Sequence, residues 1–291
     1  MSWAIVQSLI NGILTGGIYA LVASGITIIF GVMKVVNFAA GEYITCGMYM
    51  AYIAYELTGW NTYALLPFVI IATAAIGFIT FRLCFKPLLG RDGITFVLVT
   101  FGLSYALMNL LQMIFGGYPL NVPSAIKTVS LQLGSFLVPL PRLIGFGVGL
   151  LVIILVDRLI KRTNFGRAIR ATAENSEVAE TLGINSAKCY EASFIIGIAL
   201  AGIAGLLLTP FYLVSPTAGA TMKTTALMIV VLGGMGSIRG AFLGGILVGV
   251  AEALVSTTIA TELGPASIFV VFLIVVYFRP QGLFGKAGRV G

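Results

Sequence analysis

Apolar runs long enough to cross a bilayer recur along nearly the whole chain, and a single long hydrophilic stretch, DRLIKRTNFGRAIRATAENSEVAETLGINSAK from Asp157 to Lys188, interrupts them. In hydrocarbon no water is available to bond a bare backbone, so runs of about 20 apolar residues cross as helices. Only 9% of the residues are charged and 59% are hydrophobic, whereas soluble domains carry roughly a quarter charged. The chain therefore reads as an all-α polytopic membrane protein. Its 291 residues accommodate a bundle of about eight to ten spans. Residues 1–291 form a single transmembrane domain, with a hydrophilic loop at 157–188 and a Pro- and Gly-punctuated loop at 116–142 within it.

Arg158, Lys161, Arg162, Arg167 and Arg170 crowd the end of one apolar run, which the positive-inside rule assigns to the cytoplasm. Arg82, Lys86 and Arg91 mark a second basic turn, and Arg279, Lys286 and Arg289 a basic tail. If Ala220 to Ser237 crosses, Arg239 and that tail fall on the cytoplasmic side and the chain crosses about nine times from an external N-terminus, whereas a re-entrant loop there would put them outside. The net charge of +7 is then topological, and no nucleic-acid partner is expected. The opening MSWAIVQSLIN has no basic residue before its apolar stretch, so the first span is expected to act as an uncleaved insertion signal. Cys46, Cys84 and Cys189 lack CxxC spacing and the chain has no histidine. No metal site or cofactor is expected.

Polar residues inside the spans are the candidate functional positions, because each must find water or a partner. Asn37 and Glu42 open the run Val35 to Leu57. Glu42 either caps a helix at headgroup depth or lines or gates a passage. Thr100, Ser104 and Gln112 fall near one face of the run Ile94 to Phe115; they either line a passage or bond neighbouring helices. Glu252 stands as the most deeply intramembrane charge. Gly236, Gly240 and Gly244 in GGMGSIRGAFLGGILVG are spaced for tight helix packing or for a broken helix beside a cavity. Alternation over 128–133 predicts a short external strand or hairpin, and no internal repeat is visible.

The hydrophilic loop carries helix signals of its own. Ser176 is placed to cap a short helix with Glu177 and Glu180 in its first turn, and Gly183 to close it with Ile184 folding back on Ala179. Ala171, Ala173 and Ala179 would give an outward small-residue surface suited to docking on another protein, against the plainer alternative of a solvated connection.

The segment GRAIRATAENSEVAETLGIN resembles the cytoplasmic coupling loop of the branched-chain amino acid permeases of ABC importers, with Arg167, Arg170, Ala171, Ala179, Gly183 and Ile184 at the family positions. Similarity continues through GVMKVVNFAAGEY and VLGGMGSIRGAFLGG, so it spans most of the chain. The resemblance implies a permease subunit working with two cytoplasmic ATP-binding subunits, a homologous sister permease in a heterodimer rather than a homodimer, and an extracytoplasmic solute-binding protein, in a bacterial-type inner membrane. It places ATPase coupling on the loop, including Glu174, Asn175 and Glu180, and draws attention to Asn37, Gly41 and Glu42. The chain has no G-x-x-x-x-G-K-[ST], so hydrolysis would belong to the partners. A self-contained secondary transporter of a small polar solute is the alternative. It would need an ion site in the membrane and no docking helix. A membrane enzyme has little in its favour, without a histidine or a G-x-S-x-G motif.

Overall fold

Every apolar run is helical in the computed structural model, which describes residues 2–124, 126–127, 129–133 and 136–285. Among them are α1 (Ser2–Met33), α2 (Ala40–Thr58), α3 (Leu66–Thr80), α4 (Gly93–Phe115) and α5 (Leu140–Arg162). After α5 come α6 (Asn164–Glu174), α7 (Ser176–Thr181), α8 (Ser186–Leu208), α9 (Ala218–Gly233), α10 (Ile238–Thr258) and α11 (Gly264–Phe278). Seven membrane-length apolar segments occur among the described residues. Two further helices, α2 with 19 residues and α9 with 16, are less apolar or shorter and pack among the seven.

α1 and α8 form the centre. They run antiparallel: Gly25 faces Gly197 at the middle of α8, and Val32 lies beside Cys189 at one end. A methyl added at Gly25 would stand 2.6 Å from the Gly197 carbonyl oxygen, and one at Gly197 would stand 2.7 Å from that of Gly25. The helices therefore meet backbone to backbone, which only small residues allow. This reciprocity extends outward. α1 and α8 each give way to a short irregular stretch, 34–39 and 209–217, followed by α2 and α9. α2 packs on α8 and α9 on α1, while α3 lies against α8 and α10 against α1. The segments α1–α3 and α8–α10 are thus related as an inverted repeat, one that the sequence did not show.

The two ends of the bundle differ in charge. At the basic end Arg82 pairs with Glu191 at 2.9 Å, joining the end of α3 to the start of α8. The α6–α7 loop and Arg239 lie at this end too, with Ile169 of α6 packed on Val32 and Cys189. Beyond α11 the chain returns to this end, where Leu283 and Phe284 donate to the Leu232 and Gly233 carbonyls at 2.8 and 3.0 Å. That contact satisfies carbonyls left over at the end of α9. Lys286 and Arg289 lie outside the described residues. At the opposite end Leu120 and Val214 exchange two backbone bonds of 2.8 Å. A hairpin of β1 (Ser130–Leu133) and β2 (Phe136–Pro139), with Ser130 opposite Pro139, lies there as well, and the Gln7 side chain bonds Leu137. The strand expected from 128 begins at Ser130, and residue 128 itself is outside the described residues.

Candidate functional site

α2 does not start at a membrane surface. α1 ends at Met33 and Lys34 follows in the left-handed region at φ 57°, and the stretch 35–39 then runs inside the bundle with Asn37 and Ala39 buried. Asn37 shapes its last turn, its Oδ1 accepting from Ala39 N–H at 3.0 Å. α2 therefore begins deep in the protein, where Gly41 meets Gly219 at the start of α9. A Cβ on either glycine would collide with the other's carbonyl oxygen. Gly219 N–H, one of the orphan donors of a helix start, donates instead to Thr45 Oγ1 of α2 at 2.9 Å. Two helix N-termini thus converge, and their dipoles make the spot electropositive.

Glu42 sits at that convergence with 2% of its surface exposed. Its Oε1 accepts from Ser104 Oγ at 2.7 Å and lies 3.5 Å from Lys223 Nζ, which is also 3.3 Å from Ser104 Oγ. Ser104 is the midpoint of α4, about 16 Å from either end at 1.5 Å per residue. The carboxylate is therefore at mid-bundle and not at headgroup depth, and its side chain makes no helix cap. Glu42 Oε2 and Asn37 Nδ2 are buried and make no hydrogen bond among the described residues. An acceptor and a donor remain unused at the convergence.

The cluster opens on one side of the chain. Lys223 is partly exposed, and Thr217, Thr221 and Thr224 of the same helix region are exposed beside it. Across from them α4 exposes Phe101, Gly102, Tyr105 and Asn109, and Phe38 packs on Phe101 with the rings tilted and 4.6 Å between their centres. This is a seam of hydroxyls, an amide and a charge pair between membrane-length α4 and the shorter α9, and the charge pair calls for water or another protein against it.

The remaining expectations divide. Thr100 is buried one turn from Ser104, but its hydroxyl donates to the Val97 carbonyl of its own helix at 3.0 Å. Gln112 is exposed rather than on the buried face of Thr100 and Ser104. Glu252 is only half-buried and about 9 Å from Thr258, where α10 ends, so Glu42 and not Glu252 is the deeply placed acid. Gly240 packs on the Gly233 carbonyl of α9, and Gly244 on Ile229 and Leu232. Gly236 lies before the helix, at φ +89°, in a turn against Gly31. Lys223 was missed altogether, though a lysine in the run Ala220 to Ser237 was the signal that could have revealed it.

At the basic end, α6 and α7 hang from α5. Thr163 Oγ1 caps α6 by accepting from Gly166 N–H at 3.0 Å, and Arg170 donates to the Ile160 carbonyl. Arg167 donates to Asn164 Oδ1, and both arginines are exposed. The cap of α7 is Asn175, whose Oδ1 accepts from Val178 N–H at 3.0 Å; Ser176 is the first helical residue instead. Gly183 adopts φ +81°. Its N–H donates to the Glu180 carbonyl at 2.9 Å and that of Ile184 to the Ala179 carbonyl at 3.0 Å, the paired bonds of a Schellman ending. Ala179 is buried, and Ala171 and Ala173 are half-buried, so the outward surface is not one of alanines. Glu174, Glu177, Val178, Glu180 and Leu182 form it, with Val178 53% and Leu182 74% exposed.

Paired interrupted helices meeting on a buried charge pair, in a bundle with a rigidly capped helix pair at its basic end, define a polytopic transport subunit. The chain belongs to the family described as "Branched-chain amino acid transport system / permease component", whose model matches residues 8–277. It is 32% identical to the high-affinity branched-chain amino acid transport system permease protein BraD of Pseudomonas aeruginosa, over 96% of this chain and 95% of that one. It is 31% identical to LivH of Escherichia coli K12, over 96% and 95%. LivM of Salmonella typhimurium is similar at 26% over 91% of this chain and 67% of its own length.

Proposed function

We propose that this chain forms half of the translocation pathway of an ATP-driven importer for branched-chain or related small amino acids. The α4–α9 seam would face a homologous sister permease, and the α6–α7 loop would dock on a cytoplasmic ATPase. The observation that carries the pathway is the Glu42–Lys223–Ser104 cluster, opening at mid-bundle onto exposed polar residues. A zwitterionic amino acid offers an ammonium for Glu42 Oε2 and a carboxylate for Lys223. Passage would exchange one ion pair for two without leaving a bare charge in the membrane. The basic end faces the cytoplasm, in a bacterial-type inner membrane, and an external binding protein would deliver solute to the opposite end.

The relatives' names support the substrate class, and similarity to both LivH and LivM supports pairing with a sister chain. On this account α7 transmits motor closure to the bundle through the α5–α6 corner, shifting the balance between outward- and inward-facing states. The test is reconstitution of the complete assembly in vesicles, measuring leucine uptake and leucine-stimulated ATP hydrolysis. Both should require this chain and both ATPase subunits. Uptake by this chain without the ATPases, driven by an ion gradient, would refute the proposal in favour of a self-contained transporter.

A further inference from the structure

We propose that a groove between α5 and α10 at the basic end is a binding site for an anionic phospholipid, whose phosphate is held by Arg158, Arg162 and Arg239. The groove encloses about 500 Å³. Leu150, Ile153, Ile154 and Arg158 of α5 line it at helical spacing, opposite Arg239, Phe242 and Leu243 of α10. Its floor is hydrocarbon and its mouth is guanidinium, in the order in which a phospholipid of the basic-side leaflet presents acyl chain and phosphate. From Leu150 to Arg158 the wall runs about 12 Å along the helix axis, most of the depth of one leaflet.

The charges at the mouth select the headgroup. Lys161 is engaged by Asp157 at 2.6 Å. Arg158, Arg162 and Arg239 have no carboxylate partner among the described residues. Guanidinium groups bind phosphate oxygens bidentately, and three of them around one phosphate leave a net positive mouth. A zwitterionic headgroup would bring its own ammonium into that field, whereas an anionic lipid brings none. Basic pockets between spans on the cytoplasmic side are a recurrent setting for anionic headgroups.

The surroundings point to lipid rather than to another subunit. Leu151, Ile154, Leu155 and Leu243 are exposed along the same side of the bundle, an apolar face without the hydroxyls and amide of the α4–α9 seam. α5 packs on α1, α6 and α8, away from that seam. The site also adjoins the loop. Arg170 bonds the Ile160 carbonyl between Arg158 and Arg162, and Gly166 packs against the same carbonyl. A phosphate bridging α5 to α10 therefore fixes the corner from which α6 and α7 hang.

The test titrates phosphatidylglycerol, with phosphatidylethanolamine as control, into the delipidated complete assembly and counts retained lipid by native mass spectrometry. Wild type should retain phosphatidylglycerol at least about tenfold more tightly than R158Q/R239Q, should not retain phosphatidylethanolamine, and should not lose the lipid to soluble glycerol phosphate. I154W/L243W fills the groove while keeping every arginine, and should lose retention as well. This second variant decides the matter if the charge variant fails to assemble. Equal retention in wild type and either assembled variant, equal retention of both lipids, displacement by glycerol phosphate, or cross-linking of Arg239→Cys to another subunit would each overturn the proposal.

Discussion

Lys223→Met isolates the contribution of the buried pair. In the wild type Glu42 is 2% exposed, and its Oε1 shares Ser104 at 2.7 Å and Lys223 at 3.5 Å. Methionine keeps the unbranched stem to Cε and removes the ammonium, leaving a carboxylate with one hydroxyl donor and two helix dipoles. Orphaning a charge in a buried pair costs 3–5 kcal/mol. The lysine side chain is 20% exposed, so part of its attraction is already screened, and about 3 kcal/mol is the expected loss. Glu42→Gln/Lys223→Met removes both charges and should recover about 2 kcal/mol of it, a coupling energy within the range of contacting residues. The assay is denaturation of each purified assembly beside leucine uptake at matched protein level. The double variant should be nearly as stable as the wild type yet transport poorly, because the charges that would receive the zwitterion are gone. A Lys223→Met assembly as stable as wild type would refute the structural part. Full uptake by the double variant would refute the pathway part.

Four further outcomes follow from the packing and the caps. Gly41→Val should abolish assembly or transport, since any Cβ there meets the Gly219 carbonyl and overpacking of even a methyl costs about 1–3 kcal/mol; complex yield and uptake report it. Asn175→Ala should loosen α7 by about 1 kcal/mol, lowering ATPase stimulation while leaving this chain's expression unchanged. Leu182→Cys, on the exposed surface of the loop, should cross-link to an ATPase subunit, and labelling from the external side of intact cells would exclude that docking. Gly240→Leu should separate α10 from α9, whose Gly233 carbonyl it packs against, with normal transport at normal expression as the contrary result.

The sequence carried the spans, the basic end and the loop because each is written in local chemistry: run length, arginine placement and a capping pattern ending at Gly183. Asn175 and Ser176 are both good caps, so a shift of one residue was within what the pattern allows. The buried pair was not legible, because Glu42 and Lys223 are far apart in the chain and meet only after α2 and α9 start inside the bundle. Nothing in a stretch such as VVNFAAGE states how deep it lies. The inverted repeat was hidden for a related reason. It is carried by reciprocal backbone approaches at Gly25 with Gly197 and Gly41 with Gly219, positions that impose smallness on four residues and leave the others free to diverge.

Whether the α4–α9 seam lines the solute pathway is tested most directly by a cysteine at Thr224, exposed on α9 one residue from Lys223. In the reconstituted assembly a water-soluble thiol reagent should modify Thr224→Cys, at a rate that changes between nucleotide-free and ATP-bound states and falls with leucine present. Leu151→Cys, on the apolar side of α5, should stay unmodified throughout. A Thr224→Cys that is unreactive in every state, or that reacts at one rate regardless of nucleotide and solute, would contradict a pathway along this seam.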